Sequence, residues 1–187
     1  MNIGVLGGTF DPPHDAHLRI AERSIDQFSL DKVIFIPSGN PWQKKDATSY
    51  RHRYEMTKIL IGDSNDLEIS DIENSEEKPS YTYETLKKLN HPKEELYFIL
   101  GSDAAINIKT WKNYELLSNL TNFLIALRSE DNIDVLEKNF PFNYEIISGD
   151  KLDLSSTTLR NKLKEKNIEV SDLPSEILTY IKENSLY

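Results

Sequence analysis

The chain has 187 residues, 38% hydrophobic and 28% charged, with no cysteine and a formal net charge of −9. That length can bury a sizeable core, and a single domain over residues 1–187 is expected. The acidic balance argues against a nucleic-acid binder, which needs a basic face. No apolar run has the length of a membrane span. Without cysteine there is no disulfide and no thiol catalysis, and with no basic leader ahead of the first apolar run a cytoplasmic protein is expected.

The first apolar run, residues 3–6, leads into Gly7-Gly8-Thr9-Phe10-Asp11-Pro12-Pro13-His14-Asp15-Ala16-His17. Glycines let backbone approach a ligand closely. The helix expected over 16–28 offers free N–H groups and a positive dipole end to an anion. His14 and His17, three residues apart, share a helix face and can both donate to one polyphosphate. A zinc site is a poor alternative, because zinc takes three or four ligands and the other histidines are only His52 and His91. A plain glycine turn with two solvated histidines does not require so particular a string. The G-x-G-x-x-G and Walker G-x-x-x-x-G-K-[ST] patterns are absent.

The second run, 33–36, ends in Pro37-Ser38-Gly39-Asn40-Pro41-Trp42-Gln43-Lys44-Lys45, a proline-stiffened loop whose lysines can reach phosphate. Lys44, Lys45, Arg51, His52 and Arg53 concentrate positive charge ahead of a helix over 51–61, and Arg53 suits a structural ion pair as well as a ligand contact. Residues 63–77 carry Asp63, Asp66, Glu68, Asp71, Glu73, Glu76 and Glu77 without a basic residue, and read as a solvated edge and loop with an alternating edge strand over 67–72. Ser80 or Thr82 can cap a helix over 81–89. Gly101-Ser102-Asp103-Ala104 follows a strand over 96–100. Trp111 lies in a polar stretch before a short helix over 114–120 and strands over 123–127 and 144–147. Leu154-Ser155-Ser156-Thr157-Thr158-Leu159-Arg160 opens a helix over 156–166; its hydroxyls can cap that helix or hold phosphate, and Arg160 falls on the same face one turn on. A last helix is expected over 174–184, with Pro174 in its first turn.

Continuous apolar runs suit strands buried on both faces of a parallel sheet. Their alternation with amphipathic stretches predicts a doubly wound, Rossmann-like α/β fold: a mostly parallel sheet, helices on both faces and a C-terminal helical segment. Ligands bind such sheets beyond the carboxyl ends of the strands, where the motifs after the first, second and fourth runs fall.

Residues 7–17 resemble the (T/H)xGH region of the nucleotidyltransferases, most of all the GGTFDPxHxGH form of the bacterial nicotinate-nucleotide adenylyltransferases. Ala16 stands where that family usually has glycine, which firms the helix and tightens the site by a methyl. The Pro37–Pro41 loop with Lys44, Arg53-x-x-Met56, Tyr81-Thr82-Tyr83-Glu84-Thr85-Leu86, Trp111 and Ser155-x-Thr157-x-x-Arg160 continue the likeness, which spans residues 3–160.

The resemblance implies transfer of the adenylyl group of ATP to nicotinate mononucleotide, with release of pyrophosphate. It implies that Gly7, Gly8, Thr9 and Phe10 contact ATP and that Gly101 and Asp103 serve its adenosine part. His14 and His17 would hold the triphosphate, His17 nearest the reacting phosphorus, while Ser156, Thr157 and Arg160 grip the leaving pyrophosphate. Lys44, Thr82, Tyr83 and Trp111 would bind the acceptor. Magnesium would arrive with ATP, with no metal cage in the protein. Alternatives are pantetheine phosphate as acceptor, a cytidylyltransferase, or a sensor that binds nucleotide without turnover. A homo-oligomer is compatible with the sequence.

Overall fold

The computed structural model of the protein describes residues 1–41, 44, 46–128, 132–149, 154–165 and 173–187. Its strands are β1 (Ile3–Gly8), β2 (Lys32–Pro37), β3 (Leu67–Ile69), β4 (Leu96–Gly101), β5 (Asn122–Ala126) and β6 (Glu145–Ile147). They form one sheet in the order β3-β2-β1-β4-β5-β6, and every pairing is parallel. β1 pairs with β2 on one side and β4 on the other, so the winding reverses there and leaves a crevice at its carboxyl end. The doubly wound expectation holds.

The helices among the described residues are α1 (Asp15–Phe28), α2 (Tyr50–Ile61), α3 (Thr82–Leu89), α4 (Ser102–Ile106), α5 (Ile133–Asn139), α6 (Ser156–Lys164) and α7 (Ser175–Glu183). Successive strand residues point to opposite faces, which explains why the apolar runs are continuous. Leu6, Phe35, Ile99 and Leu124 face one core layer, closed by Ala21, Met56, Leu159 and Ile177 of α1, α2, α6 and α7. Val5, Ile36, Phe98 and Ile125 face the other, closed by Leu86, Ala105 and Leu136 of α3, α4 and α5.

Some boundaries differ from expectation. Residues 114–119 form a 3₁₀ segment, entered through Asn113 at φ 56°, with only Leu117 fully buried, so an α-helix has no apolar stripe to dock there. The strand expected over 67–72 stops at Ile69, where the chain enters a turn closed by Asn74 N–H to the Asp71 carbonyl at 2.9 Å. Pro174 is extended (ψ 139°) and precedes the first helical residue instead of joining the first turn. The helix over 156–166 is described as far as Lys164, and residue 166 lies outside the described residues.

Arg53 fixes the loops above the sheet. Its side chain is 1% exposed and donates to the carbonyls of Thr48 (2.6 Å), Thr9 (2.8 Å) and Gly39 (3.1 Å). It is thus a backbone clamp, neither the ion-pair partner nor the ligand contact weighed from sequence. Gly39 is required beside it, since a Cβ there would lie 1.8 Å from the Glu73 carbonyl oxygen. Arg53→Met strands three carbonyls that had a charged donor, at about 1–3 kcal/mol for each unpaired group. Urea unfolding should show a loss of about 3 kcal/mol or more; a loss below about 1 kcal/mol would contradict the clamp.

Candidate active site

Around the turn from β1 to α1 four carbonyls are engaged from behind. The Gly8 carbonyl accepts from Ser38 N–H (2.9 Å) and Thr9 from Arg53 (2.8 Å). Asp11 accepts from Arg160 Nη1 (2.7 Å) and Pro12 from the Ser156 hydroxyl (2.9 Å). Carbonyl dipoles that would repel an anion are turned into the scaffold, which leaves the N–H groups of the turn and of the first turn of α1 for a ligand. Asp11 itself is 3% exposed; its carboxylate accepts from Thr48 N–H at 3.1 Å and from the Tyr187 hydroxyl at 2.5 Å.

Phe10 adopts φ 51° and drives its ring into the core, 2% exposed. It packs against Phe35 and edge-on against His17, with ring centroids 5.7 and 5.0 Å away. A Cβ on Gly8 would come within 3.0 Å of this ring. Gly8 therefore serves the packing of Phe10, and the Phe10 ring supports His17 from below, so a contact of Phe10 with nucleotide would fall to its backbone.

His14 caps α1 and His17 stacks on it, with centroids 3.9 Å apart and planes at 33°. The His14 backbone N–H donates to Nδ1 of His17 at 3.2 Å. A ring nitrogen that accepts carries no proton, so neutral His17 has its hydrogen on Nε2, as a donor for a ligand. His14 is buried, and its Nδ1 has no hydrogen-bond partner among the described residues. An orphaned buried nitrogen is unusual in a finished core and expected where a ligand docks. Burial, helped by the Arg128 charge, pushes the His14 imidazole down to about 4. His17 is held well below 6.5 by burial and by His14, Lys44 and Arg128. Without ligand the pair is neutral at pH 7, since two charged rings at this spacing in one cationic corner would repel.

Beside the histidines, a cleft of about 740 Å³ opens at the carboxyl ends of β1, β2 and β4. Gly7, Gly8, Thr9 and Gly101 form its floor, and Lys44, Asp103, Thr82 and Trp111 its walls. Gly101 has no atom within 4 Å of where a Cβ would be, so bare backbone faces the cleft. Trp111 lines the cavity and makes a T-shaped contact with Phe98, centroids 6.2 Å apart. The start of α3 joins the lining at Thr82, and its Thr82 and Tyr83 N–H groups have no carbonyl one turn back to bond. Lys44 links the two regions. Its ammonium is lowered by burial and by Arg160, against the pull of Asp11 and Asp103.

Gly7, Gly8, Thr9, Lys44, Thr82, Gly101, Asp103 and Trp111 thus meet in one cleft. His14, His17, Ser156 and Arg160 meet next to it around the β1–α1 turn. Thr157 joins them by accepting from Arg160 Nη2 at 3.2 Å. The Ser156 hydroxyl spends its hydrogen on Pro12, so Ser156 can offer an anion only its backbone N–H, whereas the Thr157 hydroxyl, an acceptor for Arg160, keeps its own hydrogen. Ser155, not Ser156, is the N-cap, accepting from Thr158 N–H at 3.2 Å. Tyr83 does not line the cleft; its ring lies under the Lys87 ammonium at 5.4 Å. Trp42, Gln43 and Lys45 lie outside the described residues.

Three contributors escaped the sequence reading. Glu73, assigned to a solvated run, lines the cleft and accepts from the Thr85 hydroxyl at 2.5 Å, with burial raising its carboxyl. Arg128 pairs with Asp103 at 3.0 Å; its place just past β5 is the strand-end signal that pointed to the other motifs. Tyr187 gave no signal, because nothing local connects it to Asp11.

A parallel sheet with this turn at its switch point defines a nucleotide-binding protein of the doubly wound α/β class. Residues 5–162 match the family described as cytidylyltransferase-like. A Desulfitobacterium hafniense (strain Y51) protein named "Probable nicotinate-nucleotide adenylyltransferase" is 39% identical over 99% of this chain and 95% of its own length. One of the same name from Clostridium novyi (strain NT) is 40% identical over 98% of both. The Plasmodium falciparum nicotinic acid mononucleotide adenylyltransferase, solved complexed with NaAD, superposes with a TM-score of 0.84 at 27% identity over 100% of this chain and 97% of that one. The chain therefore belongs to the cytidylyltransferase-like family and, within it, to the nicotinate-nucleotide adenylyltransferases.

The histidine pair gives a direct test. Unfolded, His14 takes a proton near 6.5; folded, it does so near 4. Between those values the unfolded chain holds a proton the native protein lacks, so stability falls as pH drops through that window. NMR titration of the ligand-free protein should give a midpoint of about 4 for His14 and one well below 6.5 for His17, with its nitrogen shifts reporting hydrogen on Nε2. Ordinary midpoints near 6.5 for both rings would contradict the geometry.

Proposed function

We propose that the protein transfers the adenylyl group of ATP to nicotinate mononucleotide, giving nicotinate adenine dinucleotide and pyrophosphate, a step of NAD biosynthesis. The observation that carries this reading is the continuity of two unlike regions through Lys44. One is an aromatic-walled cleft with a helix start, the other a histidine–arginine corner stripped of outward carbonyls. Kinship with named relatives over nearly the whole chain supports it.

In this scheme the pyridine ring stacks on Trp111, and its carboxylate takes the N–H groups of Thr82 and Tyr83. ATP lies along Gly7, Gly8 and Thr9 with its adenosine toward Gly101 and Asp103. The acceptor phosphate, with a second pKa of about 6, is largely ionised near neutrality and needs no general base. One of its oxygens bonds to the α-phosphorus as the bond to the β-phosphate oxygen breaks, and pyrophosphate leaves with that electron pair. The protein supplies alignment and fixed charge. The His17 Nε2 hydrogen donates to the α-phosphate as its charge grows, and His14 fills its orphan nitrogen on the triphosphate. Arg160 and the N–H groups of Ser156 and Thr157 receive the departing pyrophosphate.

Magnesium suits ATP's own oxygens better than the two aspartates beside the site. Asp11 has both oxygens bonded and Asp103 is paired with Arg128. Brought in on the nucleotide with its waters, the ion would neutralise phosphate charge.

Pyrophosphate release with ATP and magnesium should be faster with nicotinate mononucleotide than with the nicotinamide form, whose amide brings hydrogens toward the donors of α3. Turnover with pantetheine phosphate alone would overturn the assignment. Trp111→Ala should raise the acceptor KM by about 2- to 30-fold, the equivalent of about 0.5–2 kcal/mol of stacking on a cationic ring, and leave the KM for ATP unchanged.

A further inference from the structure

The carboxylate of Asp11 is enclosed by segments far apart in sequence. Beyond α7 the chain turns back through Ser185 at φ 51°, with Leu186 N–H on the Ile181 carbonyl at 3.0 Å, and this carries Tyr187 to the β1–α1 turn. Its hydroxyl donates to Oδ1 of Asp11 at 2.5 Å while Thr48 N–H takes Oδ2. Resting on the transfer reading above, we propose that Tyr187 is a positioning residue for the reaction, acting through Asp11 to hold the β1–α1 turn and Arg160 in register.

The geometry leaves Asp11 few other supports. Its backbone carbonyl is the acceptor that fixes the Arg160 guanidinium, so a shift of residue 11 moves the pyrophosphate end of the site. Pro12, next in the chain, is held by Ser156, and His14, two residues further, caps α1. A buried carboxylate that loses a donor must turn toward another or admit water. Either response displaces the segment that aims His14, His17 and Arg160. Burial and the neighbouring carboxylate raise the Tyr187 phenol, so it remains an O–H donor throughout the working pH range. The strut does not touch the Trp111 end of the cleft, which predicts which kinetic constants it controls.

The test uses Tyr187→Phe, which keeps the ring packing and removes only the hydroxyl. Tyr180→Phe is the control: Tyr180 sits in α7 and bonds His52 Nδ1 at 2.9 Å, away from the turn. With full-length protein, Tyr187→Phe should lower kcat by about tenfold, because misalignment of this kind is costly in rate. The KM for nicotinate mononucleotide should stay unchanged, and calorimetric ATP affinity should fall severalfold. Tyr180→Phe should show wild-type kinetics at a comparable shift in Tm. In an Asp11→Ala background the added Tyr187→Phe change should cost nothing further, with Asp11→Leu, which fills the volume and has no acceptor, taking its place if the alanine variant does not fold. Wild-type kinetics for Tyr187→Phe, or effects that multiply in the double variant, would overturn the strut. Absence of turnover by the unmodified protein would overturn the transfer reading instead, and ATP affinity would then judge the strut alone.

Discussion

Everything at the site depends on how the β1–α1 turn is held. A loop that binds a polyphosphate must show N–H groups and hide carbonyl oxygens, yet backbone left to itself exposes both. Here the oxygens of Gly8, Thr9, Asp11 and Pro12 are taken by Ser38, Arg53, Arg160 and Ser156. The donors come from the β2 loop, α2 and α6. The turn is thus shaped before any ligand arrives, and binding need not pay to reorganise it.

The same arrangement reconciles a strongly acidic chain with anionic ligands. Net charge governs solubility and long-range attraction, but local placement governs binding. Lys44 stands within electrostatic reach of both Arg128 and Arg160, and the histidines beside it are kept neutral by burial. A neutral imidazole with a fixed tautomer donates in one direction and adds no repulsion to the empty site. Acidic side chains near the corner are tied: Asp11 to Thr48 and Tyr187, Asp103 to Arg128.

The sheet was legible because strands buried on both faces read as unbroken apolar runs, and β1, β2, β4 and β5 each began or ended within about two residues of them. α4 and α5 were not, since they run only 5 and 7 residues and cannot display a helical period. Among site residues, His14 and His17 were legible because a spacing of three brings two residues together at a helix start, here as the N-cap and the third helical residue. The buried ring of Phe10 was not legible: an aromatic side chain inside a binding motif can touch ligand or core, and only its positive φ and its place over Phe35 decide. Arg53 suits an ion pair or a ligand contact from sequence, because three carbonyls from separate loops cannot be foreseen to converge. Arg128 was within reach of the strand-end rule. The hydroxyl of Tyr187, 176 residues from its partner Asp11, was not.

The central claim is that this prebuilt corner acts on charge that grows during transfer, with His17 Nε2 aimed at the α-phosphate. A donor of that kind affects turnover more than binding. The most direct measurement compares kcat and calorimetric ATP affinity for His17→Ala. A loss of about a hundredfold to a thousandfold in kcat, with ATP affinity within a few-fold of wild type, is the result expected. Near-normal turnover, or affinity falling in step with rate, would contradict the claim and place the catalytic donor elsewhere.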